Sequence, residues 1–239
     1  MSTFLSAEWR NLLMANYAAD PQLLKNYLPY RTELDDYNGT HYVSLVGFLF
    51  QNTKVRGISF PFHSTFQEVN LRFYVRFKEK NEWRRGVVFI KELVPKKMIT
   101  FVANTIYNEN YATHRMKHSW KNIGDELAVE YYWKVSGQWN YIKGICEKES
   151  AEVTKNSVEE FITEHYWGYT FINNACTGVY EVIHPKWRVH KVKSYEIKCD
   201  AGKLYGDAFT ETLEQTPDTV FLAEGSTIVV KKGSKISGQ

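Results

Sequence analysis

The sequence predicts a mainly β (α+β) fold: a curved antiparallel sheet accompanied by a few helices, in one domain spanning residues 1–239. Three observations lead there. In Ser64–Phe77 (STFQEVNLRFYVRF) the odd positions Val69, Leu71, Phe73, Val75 and Phe77 are all apolar. The even positions Phe66, Glu68, Asn70, Arg72, Tyr74 and Arg76 are polar, charged or amphipathic. That period of two belongs to a strand, and a strand this long would span roughly 40 Å, so it must bend or bulge. Second, three aromatic alternating runs, YATHRMKHSWK, ELAVEYYWKV and WNYIKGICEK, follow one another between turn residues, as in a meander. Third, clear helical patterns are confined to three short segments.

Taken in order, Trp9–Tyr17 reads as a strand, because Asp20 and Pro21 then cap and open a short helix, PQLLKNYL, closed by Pro29. Asn38-Gly39 makes a tight turn into the apolar run His41–Phe50, which explains the chance glycosylation tripeptide Asn38-Gly39-Thr40. Lys54–His63, with Gly57 and Pro61, is a loop or irregular edge. Asn81-Glu82 turns into Arg85–Leu93, a strand pairing back as a hairpin. Pro95 opens the helical segment PKKMITFVANTIYN, with Met98, Val102, Thr105 and Ile106 on one side and Ile99 beside them. After the meander, the polar Ser150–Asn156 precedes a second capped helix, SVEEFITEHY. Strands return at Gly168–Ile172, Gly178–Ile183 and Arg188–Cys199. Asp207–Glu214 is ambiguous, a short helix being one reading. Phe221–Val230 reads as a hairpin about Glu224-Gly225, and the closing KKGSKISGQ as frayed.

Composition narrows the function. The formal charge of +3 is slight, and basic residues alternate with acidic ones, so no stripe fit to track phosphates emerges and no nucleic-acid partner is expected. Cys146, Cys176 and Cys199 are odd in number and widely spaced, with no CxxC, which points to reduced thiols in a cytoplasmic protein. Neither an export segment nor an apolar span is present, so no membrane partner is expected. A catalytic elbow GxSxG, a P-loop, a dinucleotide fingerprint and HExxH are all missing.

Four stretches, FQEVNLRFYV, NENYATHRM, FITEHYWGYT and IHPKW, in that order and spacing, resemble the YqjF-like bacterial family of unknown function, over Trp9 to about Val230. That family is similar in fold to the acetoacetate decarboxylase-like superfamily. The resemblance implies a bent antiparallel β-barrel of acetoacetate decarboxylase-like type, with helices packed outside and an interior cavity. Acetoacetate decarboxylases form a Schiff base through a lysine with a second lysine beside it, after a Gly-Phe-Pro turn. The matching place here is Glu109–His114, which has no lysine. Lys96-Lys97 imitate the pair but fall at a helix start, where lysines are solvated. The decarboxylase mechanism is therefore not carried over, whereas Glu68 is similar to the superfamily's pocket glutamate.

Glu68, Asn70 and Arg72 share one strand face. They make either a polar cluster lining the cavity, with Arg72 clamping a carboxylate and Glu68 the catalytic proton acceptor, or an ion pair facing solvent. Tyr111, His114 and Arg115 lie in the turn that replaces the lysine site. Alternation groups Arg115 with Tyr111 and Thr113, and His114 with Met116 and His118, so His114 and Arg115 cannot both enter a cavity. The candidate ligand-binding residues are thus Glu68, Asn70, Arg72, Tyr111, Arg115 and His114. Two histidines at this spacing do not make a metal site, and no metal or cofactor is expected. Glu164–Trp167 reads as an aromatic anchor beneath a helix. His184-Pro185-Lys186-Trp187 reads as a sharp bend with Trp187 packing. The expected function is binding of a small organic acid or apolar metabolite in a barrel cavity. The alternative is an acid-base enzyme of lyase or hydrolase type on a small keto or hydroxy acid; a protein-interaction module and a homo-oligomer stay open.

Overall fold

The computed structural model describes residues 2–238, with the side chains at 102, 106 and 107 outside that description. The chain runs β1 (Thr3–Ala18), α1 (Pro21–Lys25), β2 (Glu33–Leu34), β3 (Tyr42–Val55), β4 (Phe66–Glu79), β5 (Glu82–Val94), α2 (Lys97–Tyr107), β6 (Tyr111–Thr113), β7 (Met116–Ile123), β8 (Glu126–Val135) and β9 (Gln138–Glu152). It continues through α3 (Val158–Thr163), β10 (Trp167–Asn173), β11 (Cys176–Ile183), β12 (Arg188–Lys198), α4 (Ala201–Tyr205), a 3-10 turn at Asp207–Phe209, α5 (Thr210–Glu214), β13 (Thr219–Lys231) and β14 (Ser234–Ser237). All strands belong to one sheet. Its order is β14-β11-β10-β5-β4-β3-β1-β13-β12-β9-β8-β7, with β2 beside β4 and β6 beside β5. A second pairing, β11 with β13, closes β11, β10, β5, β4, β3, β1 and β13 into a ring of seven strands.

β4 is the strand on which both compartments meet. Its odd residues Val69, Leu71, Phe73, Val75 and Phe77 join a core formed outside the ring with Leu13, Leu45, Tyr131, Trp133 and Ile142, where β8 and β9 fold over β1, β3 and β4. Its even residues Phe66 and Tyr74 join a second cluster within the ring, with Leu12, Met14, Phe48 and Phe161. Burial on both faces explains why β3 reads as a continuous apolar run. The expected irregularity of β4 falls between Leu71 and Arg72. Leu71 pairs with Lys91 and Arg72 with Phe89, so Ile90 is an extra residue bulged out of β5.

Several expectations are corrected. Phe221–Val230 is no hairpin: β13 is one strand lying against β1 from Thr3↔Lys231 to Asn16↔Thr219, with a register shift between Thr3 and Leu5. Gly225 sits opposite Arg10 with φ +76°, and a Cβ there would strike the Trp9 carbonyl; the glycine serves a close approach at an irregularity, where Asn11 also has φ +52°. Ser234–Ser237 of the closing segment are not frayed, because β14 pairs with β11, and residue 239 lies outside the described residues. The sheet is not wholly antiparallel, since β10 and β6 each run parallel to β5. YATHRMKHSWK is two strands broken at His114-Arg115. α1 ends at Lys25, well before Pro29, although Asp20 caps it as expected by accepting from Gln22 N at 2.8 Å. α4 was not expected at all; Asp200 caps it. On α2, Val102 and Ile106 of the expected apolar side lie outside the described side chains. No helix among the described residues is long and apolar enough to cross a membrane.

Candidate functional site

The ring encloses a cavity of about 590 Å³. Trp9, Phe48, Phe50, Phe66, Phe89 and Trp187 supply much of its apolar wall. Trp9 and Leu12 both reach it, although one is odd and one even, because the β1 irregularity between Arg10 and Leu13 shifts the alternation. Trp187 stacks on His184 at 4.3 Å between ring centroids, and His184 stacks in turn on Tyr166. Trp187 packs as expected and both residues border the cavity, but the sharp bend is absent: Val182 pairs with Val230 and Val189 with Ala223 in one register, so the chain continues along β13.

The polar part of the cavity comes from β4, β5, β6, β11 and the turn before β6. Glu68, Asn70 and Arg72 all line it and all are buried, as alternation on one strand face requires. Asn70 Nδ2 donates to Glu68 Oε1 at 2.9 Å, and the Tyr111 hydroxyl donates to Glu68 Oε2 at 3.0 Å. Tyr180 donates its hydroxyl to Glu109 Oε1 at 2.7 Å. Glu92, opposite Asn70 in register, completes a set of three carboxyl groups.

Burial dominates the electrostatics of this set. It lifts Glu68 to about 7, against the opposing pull of the Asn70 and Tyr111 hydrogen bonds and the Arg72 charge. Burial also lifts Glu109 to about 8, with Tyr180 opposing and Glu68 reinforcing the rise. Glu92 is driven well above the carboxylate range by burial and then by the charges of Glu109 and Glu68. Glu92 Oε2 and Asn70 Oδ1, on residues in register with each other, are both buried without a hydrogen-bond partner. Arg72 is the buried cation of the group. Its Nε has no hydrogen-bond partner, and its guanidinium lies 5.7 Å from the Tyr74 ring centroid.

Behind this wall sits a second polar cluster. Asp35, just past β2, accepts from Arg85 Nε at 2.6 Å and meets His165 Nε2 at 3.3 Å. Desolvation works to raise Asp35, but the bonds from His165 and Arg85 outweigh it and hold the carboxyl at about 2. Burial pushes His165 down to about 4. The residues after α3 are thus an aromatic anchor in part only. His165 packs on Tyr74 and Phe161, as expected of an anchor, yet it is also the partner of a buried aspartate.

Two candidates are corrected. His114 turns its Nδ1 to the Lys134 carbonyl at 2.9 Å, and exposed Arg115 extends over the Trp139 ring. Neither borders the cavity, because β6 lasts only Tyr111–Thr113 before the chain leaves the ring for β7. Glu92, Glu109, Tyr180, Asp35 and His165 are the polar residues that sequence reasoning missed. Alternation would have found Glu92 only with knowledge of the Ile90 bulge. Glu109 had a signal, standing at the head of the turn that replaces the lysine site.

The DUF2071 family model, described as an uncharacterized conserved protein, matches residues 6–227. The uncharacterized protein YqjF of Bacillus subtilis (strain 168) is 31% identical over 182 residues, which cover 74% of this chain and 70% of that protein. Among solved structures, acetoacetate decarboxylase from Legionella pneumophila matches with a TM-score of 0.68 at 13% identity, over 99% of this chain and 90% of its own. The enduracididine biosynthesis enzyme MppR complexed with pyruvate matches at 0.69 and 11%, over 99% and 92%. An acetoacetate decarboxylase-like enzyme from Sphingomonas wittichii RW1 matches at 0.67 and 8%, over 100% and 95%. At these identities the structural likeness is one of fold.

Proposed function

We propose that this chain, which belongs to the DUF2071 family of uncharacterized conserved proteins, binds a small organic acid with an apolar body in its ring cavity. One observation carries the reading: Arg72 is a buried guanidinium bordering the cavity, with an Nε that no protein group satisfies. A buried donor of a cation left unsatisfied is costly, and a carboxylate relieves that cost with charge-assisted hydrogen bonds. The aromatic walls suit the rest of the molecule. Among the described residues that line the cavity the long cations are Arg56 and Arg72, with no lysine. This supports binding without a Schiff base. Cys146, Cys176 and Cys199 stand unpaired, which supports a reducing compartment such as the cytoplasm.

The test is a thermal-shift screen of carboxylic acids beside their neutral amides. Acids raise the melting temperature and Arg72→Met removes the effect, with a loss of about 2–5 kcal/mol in binding. Equal stabilisation by the amides refutes the reading, and so does an adduct trapped by borohydride with acetoacetate.

A second reading is favoured by Glu68. A carboxyl held at about 7 and bonded to Tyr111 suits general acid-base work on a small keto or hydroxy acid. In that case the bound acid is consumed, and Glu68→Gln ends turnover while the fold persists.

A further inference from the structure

We infer that the rim of the cavity docks on the surface of an anionic lipid bilayer. Five large apolar side chains stand in solvent on two segments: Ile58, Phe60 and Phe62 between β3 and β4, and Met98 and Phe101 on α2. Phe62 is 88% exposed and Phe101 67%. Both segments also face inward. Phe60 and His63 from the first, and Met98, Ile99 and Ala103 from the second, border the cavity, so the exposed side chains surround its opening. Exposed apolar residues grouped at one opening mark a contact surface rather than the scattered exposure of an ordinary exterior.

Charge identifies the occupant. Residues 54–65 and 95–108 contain Lys54, Arg56, Lys96 and Lys97 and no aspartate or glutamate. Among the described residues none of these four cations forms an ion pair; Arg56 leans over the Phe4 ring. Aromatic and aliphatic tips framed by basic side chains match the interfacial layer of a membrane that carries negative headgroups. A second copy of the chain is the poorer fit, because a two-fold contact would set these cations against their own equivalents. The absence of an apolar span led the sequence to promise no membrane partner, but interfacial docking needs none. The inference stands whatever the cavity holds.

The test is co-sedimentation of the full chain with vesicles of phosphatidylcholine alone or mixed with phosphatidylglycerol. Binding to the mixed vesicles exceeds binding to the neutral ones by about tenfold and falls with added salt. The double variant Phe62→Ser/Phe101→Ser loses about tenfold in binding. Its melting temperature is unchanged, since both sites are exposed. Lys54→Gln/Lys97→Gln narrows the difference between the two vesicle types. Equal binding to both types overturns the inference, as does no sedimentation with either. So does a dimer, seen by light scattering, that the phenylalanine variants dissociate.

Discussion

The Tyr111 hydroxyl meets Glu68 Oε2 at 3.0 Å, joining a three-residue strand to the long central strand of the ring. The bond holds the carboxyl that burial has raised, since a donor to a carboxylate favours its charged form. Tyr111→Phe removes that donor. Glu68 then titrates above its present value of about 7, and stability falls by about 1–2 kcal/mol. NMR of labelled glutamate carboxyls across pH measures the shift; an unmoved or lowered titration contradicts the arrangement.

Stability declines on the alkaline side because of the carboxyl set. An unfolded glutamate ionises near 4.5, whereas Glu68 and Glu109 keep their protons to about 7 and about 8. Between those limits the native protein binds more protons than the unfolded chain, so its advantage is complete below 4.5 and is lost as pH rises through 7 to 8. Urea unfolding at a series of pH values shows this slope, and Glu68→Gln/Glu109→Gln flattens it.

The acid side has the opposite sign. Asp35, held at about 2, contributes stability above its ordinary 3.8 that is lost as pH falls through the lower value. His165, buried in its neutral form, contributes stability present above 6.5 and lost as pH falls through about 4. Asp35→Asn leaves Arg85 and His165 without their anion and costs about 2 kcal/mol. The same unfolding series checks it, since the variant's acid limb is shallower than that of the native protein.

Gly168 links packing to the site. It lies opposite Tyr180 in register, and a Cβ there would enter the Tyr180 ring. Gly168→Ala costs about 1–3 kcal/mol by overpacking and moves Tyr180 off Glu109. Without that donor Glu109 titrates above its present value of about 8. Calorimetry reads the first effect and carboxyl NMR the second.

Much of this architecture is visible in the chain read alone. The two faces of β4, Asp20 and Ser157 as helix caps, and the turn at Asn38-Gly39 all follow from local sterics and local hydrogen bonds. The shared face of Glu68, Asn70 and Arg72 follows from the two-residue period alone. The errors lie where a distant partner decides. Gly225 looks like a turn residue until β1 is laid beside it, and the segment after Thr113 looks like one strand until β6 is seen to stop.

Most strand segments, and the side chains of one strand that act together, could be read from the chain, because both depend on the geometry of adjacent peptides. Long-range pairing settled that the ring closes through β11 and β13, and that bulges at Asn11 and Ile90 bring Leu12 and Glu92 to the same interior as Trp9 and Glu68. It also decided that His114 and Arg115 stay outside. One extra residue reverses every side chain beyond it, and where that residue is tolerated depends on strands far away in sequence.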